Sequence, residues 1–107
     1  MLGRPKRTLP SIKAERVVQR FVKQMHNIDC AIGVRRLEDE DGITVWTIVE
    51  VSPLDYEALQ PIYEAELEAM RSLDDPIFDF RLVTQESIED VPAKAKAMWN
   101  REDAPRN

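Results

Sequence analysis

The chain has 107 residues, 43% of them hydrophobic, and a formal net charge of −5. A single domain of this size buries about 60–65% of its unfolded surface, so its core is small and association is a common remedy. One cysteine, Cys30, excludes an internal disulfide and a multi-thiolate metal site within the chain, and no apolar run approaches the roughly 20 residues of a membrane span.

The charge is divided along the chain. Residues 1–26 carry a net +6 and residues 27–107 a net −11. A molecule of two signs can pair with itself or with a partner of either sign. The basic start has no apolar run behind it and so is not a secretory signal. It is Arg-rich like a transit peptide but poor in serine, and its apolar positions are needed by the core, so the expected location is the cytoplasm.

Residues 1–10 read as a basic arm in which Pro5 and Pro10 prevent regular structure. Within it Leu2-Gly3-Arg4-Pro5-Lys6-Arg7 resembles the core of an AT-hook, which implies minor-groove contact with A·T-rich DNA. Leu2 stands where that motif has its first arginine, and there is one copy, so the arm is read as a mobile basic terminus.

A first helix is predicted over 11–26, capped by Ser11. Ile12, Ala14, Val17, Val18, Phe21, Val22 and Met25 form its apolar stripe. Lys13, Arg16, Arg20 and Lys23 share the opposite face. Such a face could track phosphates. No aromatic interleaves it and no helix-turn-helix accompanies it, so a protein partner is expected first and nucleic acid second.

Two β-rich segments, 28–37 and 43–51, flank Glu38-Asp39-Glu40-Asp41-Gly42, whose Asp-Gly is a hairpin signal. The acids imitate part of a calcium loop, but Leu37 and Ile48 fall where that loop needs oxygen ligands, so calcium is set aside. Ser52, Pro53 and Asp55 predict the start of a second helix running to about Leu73, kinked or restarted at Pro61. Leu54, Tyr56, Leu59, Ile62, Tyr63 and Leu67 contribute to an apolar arc with Glu66 near its middle. A carboxylate there is either paired in the core or, with Tyr63, a ligand contact or general base; the structural role is expected.

Residues 77–83 predict a third strand, Ser87 a capped turn, and Pro92 to Trp99 a short helix before a polar tail. The partition is an arm at 1–10, one domain at 11–91, and a short helix with tail at 92–107. The fold class that follows is α+β, a small αββαβ sandwich. It has a three-stranded antiparallel sheet of order 2-1-3, two long helices on one face and a short C-terminal helix. Alternation puts Cys30, Ile32, Val34, Val45, Val49, Val51, Phe78, Phe80 and Leu82 under the helices.

The other face carries Ala31, Gly33, Arg35, Thr44, Trp46, Ile48, Asp79, Arg81 and Val83, which is too apolar to meet water. A second copy around a two-fold axis is the expected cover, the competing one being residues 92–99 folding back with Met98 and Trp99. His26 and Cys30 are each single and read as structural, and the three glycines form no phosphate loop. No catalytic residue, metal ligand or cofactor is assigned. The expected function is therefore a non-catalytic, homodimeric interaction module. Its partner-binding residues would be Trp46, Ile48, Arg35 and Arg81 on the sheet, or Arg16 and Arg20 on the first helix. A nucleic-acid accessory role is second and an enzyme centred on Glu66 third.

Overall fold

The apolar stripe of the first helix does fold as α1, Ile12–His26, with Ala14, Val17, Val18, Phe21, Val22 and Met25 buried. The computed structural model describes residues 12–72 and 78–101, so the arm, Ser11 and the tail from 102 lie outside the described residues. β1 (Ala31–Asp39) and β2 (Gly42–Val49) form the hairpin marked by Asp-Gly. Asp39 Oδ1 accepts hydrogen bonds from the backbone N–H groups of Asp41 (2.8 Å) and Gly42 (3.2 Å). Gly42 has φ 145°, a conformation that only glycine adopts without strain.

α2 spans Tyr56–Arg71 and begins later than expected, because Asp55 is its cap and accepts from Ala58 N–H at 3.2 Å. Ser52 closes a tight turn instead, its hydroxyl accepting from Leu54 N–H at 3.0 Å. Leu54, Tyr56, Tyr63 and Leu67 are consequently exposed, and the buried face narrows to Leu59, Ile62, Ala65, Glu66 and Ala69. β3 is Phe78–Thr84, followed by a 3₁₀ helix at Gln85–Asp90 and a fourth strand, β4, at Lys96–Asn100. Ser87 lies inside that 3₁₀ segment, whose cap position is Thr84.

The mixed α+β class with two long helices holds, but the sheet has four strands in the order β3-β2-β1-β4. β3 pairs parallel with β2, not antiparallel beside β1, because the α2 crossover returns the chain next to the strand it left. The free edge of β1 is taken by β4, antiparallel, where a short helix was predicted. The Ala/Lys-rich run there has helix propensity, and tertiary pairing overrides it.

Inward positions of β2 and β3 fall as the alternation predicts, with Val45, Val49 and Phe78 buried and Phe80 and Leu82 packed on the same cluster. Phe80 meets Phe21 of α1 at a ring separation of 4.8 Å. β1 departs from the pattern. An irregularity between Ala31 and Gly33 shifts the register, so Ala31 joins the helix-side core instead of the outer face. Past it, Arg36 faces inward and is buried, its guanidinium held by Glu15 of α1 at 3.1 Å and Glu38 at 3.2 Å. A hydrogen bond from Gln19 and the Arg36 charge outweigh burial and hold the Glu15 carboxyl below the usual range.

The outer face around Trp46 is covered from within the chain. Trp46 is 7% exposed and clusters with Val91 and Ala95, with Leu37 and Val83 packed alongside. Met98 and Trp99, named in the folding-back alternative, instead pack on the helix-side core. Trp46→Ala is expected to lower unfolding stability by about 3 kcal/mol, since it opens a cavity under this cover. A shift of the urea midpoint, with light scattering to follow association, checks it.

Candidate ligand cleft

The cover does not reach the whole outer face. Beyond Trp46 a cavity of about 380 Å³ lies between the 3₁₀ segment and β4, lined by Gly33, Arg35, Ile48, Glu50, Gln85 and Ile88, with Asn100 and Arg101 at the β4 side. Gly33 leaves room here. A Cβ at this position would lie 3.2 Å from Ile48 Cδ1, so that the end of that side chain would have to give by a few tenths of an ångström, and at ordinary contact, 3.4 Å, from the Trp99 carbonyl oxygen.

Two arginines line the cleft and differ in commitment. Arg101 Nε donates to the Ala31 carbonyl at 3.0 Å, and its Nη2 donates to the carbonyls of Ile28 (3.0 Å) and Ala31 (2.9 Å). The same guanidinium lies 4.9 Å from the centre of the Trp99 ring, which stacks on His26 at 4.6 Å. Arg35 is half-buried and makes no hydrogen bond or ion pair with a described residue. Glu50, exposed at the far end, has no side-chain partner among the described residues either.

Of the residues singled out in the sequence, the structure brings Arg35 and Ile48 into this cleft. Trp46 is sealed beneath the cover, which corrects its assignment as a partner contact; Ile48 is 4% exposed and presents little surface to a protein. Arg81 sits on the outer face in an exposed ion pair with Asp79 at 2.9 Å. Arg16 and Arg20 are exposed on α1, in the opposite layer. Gly33, Glu50, Gln85, Ile88 and Asn100 were not legible as site residues. Their meeting depends on β4 and the 3₁₀ segment, whose placement is non-local.

Glu66 and Tyr63 lie three residues apart on α2 and differ in burial. Tyr63 is 38% exposed, whereas Glu66 is 9% exposed and has no hydrogen-bond or ion-pair partner among the described residues. Burial alone pushes its carboxyl up to about 7. Thr47 is also fully buried, its hydroxyl without a hydrogen-bond partner among the described residues.

Two other concavities offer less. A groove of about 650 Å³ between the α1–β1 connection and α2 holds Asp29, Glu50 and Glu57, with Cys30 turned inward onto the Ala58 carbonyl at 3.5 Å. Burial pushes the Cys30 thiol up, away from the reactive thiolate. At the hairpin end Asp39, Asp41 and Asp79 line a hollow, but Asp39 is engaged in its turn and Asp79 with Arg81. Among the described residues no group of three or more His, Cys, Asp or Glu is placed to hold a metal ion, and no helix is long and apolar enough to cross a membrane.

No protein-family model and no curated protein matches the sequence. The fold is similar to a crystal structure from Sulfolobus solfataricus described as a "putative nucleotidyltransferase". That similarity has a TM-score of 0.60 at 10% sequence identity and covers 87% of this chain and 86% of the other. The expectation of a non-catalytic, homodimeric module is thereby corrected on two grounds. Its main proposed interface is an internal contact, and the fold is shared with a protein described as an enzyme, so nothing in the architecture sets catalysis aside.

Glu66 generates a pH prediction of definite sign. Its folded pKa lies above the unfolded value, so the native state holds a proton that the unfolded chain has released between about 4.5 and 7. Stability therefore falls as pH rises through that window and levels above it. Glu66→Gln is expected to flatten the fall and to raise the melting temperature at pH 8 relative to the parent chain. Thermal melts from pH 5 to 8 read the difference.

Proposed function

We propose that this chain binds a phosphate-bearing small molecule of the nucleotide class in the cleft on the outer sheet face, with Arg35 as the anion-holding group. The observation that carries the reading is Arg35 itself, a half-buried guanidinium without a partner among the described residues, on a cavity of 380 Å³. A guanidinium drawn partly out of water loses hydration that an opposite charge restores, and its planar fork matches phosphate oxygens two at a time. The volume falls in the range of about 300–1,000 Å³ typical of small-molecule sites. Ile48 and Ile88 supply apolar lining for a ring, and the Gln85 amide supplies a donor and an acceptor.

The likeness to a protein described as a nucleotidyltransferase supports the choice of ligand class and nothing finer. The test is a thermal-shift series on the full chain with nucleoside mono-, di- and triphosphates and with inorganic phosphate. A ligand at ten times its Kd stabilises the native state by about 1.4 kcal/mol. Arg35→Ala is expected to abolish the shift, while Arg81→Ala, on the same face but paired outside the cleft, retains it. Absence of any shift, or an undiminished one in Arg35→Ala, would overturn the reading.

A further inference from the structure

The cleft has two chemically opposite ends on one sheet face. The pairing of β1 with β2 sets Gly33 opposite Ile48, and Arg35 opposite Trp46. Arg35 therefore lies two positions from the centre of the cleft in one direction. Glu50, two residues past Ile48, lies two positions away in the other. Its backbone N–H donates to the Cys30 carbonyl at 3.0 Å at the bend that follows the end of β2 at Val49. Regular β2 runs three positions past Trp46 to Val49, about 10 Å along the sheet at roughly 3.3 Å per residue, and Glu50 follows at the bend.

We infer that the ligand is a ribonucleotide whose phosphate is held by Arg35 and whose sugar hydroxyls are read by Glu50; this rests on the nucleotide reading above. The span between the two residues, less the reach of their side chains, fits one nucleotide unit and not a chain of several. A carboxylate accepts from vicinal hydroxyls with both oxygens, and it repels a phosphate placed at its own end, so the two ends fix the ligand's direction. Arg101 lines the same cleft but makes no ion pair with Glu50, its Nε and Nη2 donating to the carbonyls of Ile28 and Ala31. Glu50, which lines both this cleft and the groove beside α2, is thus left as an acceptor open to a polar ligand.

Calorimetric titration of the full chain with adenosine 5′-monophosphate and with its 2′-deoxy and 3′-deoxy forms tests the inference without any substitution. The ribonucleotide is expected to bind about tenfold more tightly or better, the scale of one hydrogen bond to a charged group. Glu50→Gln, with folding verified by its thermal melt, is expected to remove that discrimination while the deoxy forms bind as before. Equal affinity for ribo and deoxy forms, still dependent on Arg35, would sink the ribose reading and leave the cleft reading standing. Failure of every nucleotide to bind would remove both.

Discussion

The pairing of β4 onto the free edge of β1 decides what happens on both faces of the sheet. It runs close past Gly33, where a side chain would begin 3.4 Å from the Trp99 carbonyl oxygen, an ordinary contact. Once seated, β4 is fastened at its end by Arg101, whose donors satisfy the carbonyls of Ile28 and Ala31. On the helix side Trp99 reaches the end of α1 and stacks on His26. On the other side the chain between β3 and β4 must cross the sheet, and in crossing it lays Val91 and Ala95 over Trp46. The cleft is what that crossing leaves uncovered. Site and fold thus share one cause.

The parts that the sequence disclosed are those governed by local periodicity. The α1 stripe, the hairpin at Asp41-Gly42, and the inward residues of β2 and β3 each follow from spacing alone, and each is found. The parts it concealed depend on partners distant in the chain. Lys94, Ala95, Lys96 and Ala97 are residues that suit a helix, and only the open edge of β1 makes a strand of the segment they begin. The irregularity near Ile32 shifts the register by one residue, which moves Ala31 from the outer face to the core. The apolar outer face was legible as needing a cover, and the cover proved to be the chain itself. The position of Arg35 on that face was legible too, but not the wall that turns the face into a cleft.

Two arginines adjacent in sequence show how burial is reconciled with charge. Arg36 points into the helix layer and is ringed by Glu15 and Glu38, as a buried cation requires. Replacing both partners there would leave a buried charge without compensation, a far larger cost than the ion pairs' own net contribution. Arg35, one position along, points the opposite way and has no such ring among the described residues. The difference is not one of solvent alone, since Arg81 on the same outer face is more exposed than Arg35 and still pairs with Asp79.

Glu66 and Arg35 are both charged groups drawn out of water without a described partner, and they have different remedies. Glu66 lies within a packed core and answers burial by holding its proton to about pH 7, where it is a neutral acid instead of an isolated anion. That response is internal and needs nothing from outside the fold. A guanidinium has no equivalent, because arginine keeps its charge throughout the physiological range. Water filling the cleft compensates part of the charge at Arg35, and an anion in the same place compensates it more fully. The buried acid can answer its surroundings with a proton, whereas an arginine without a described partner cannot, and an anion is the compensation open to it.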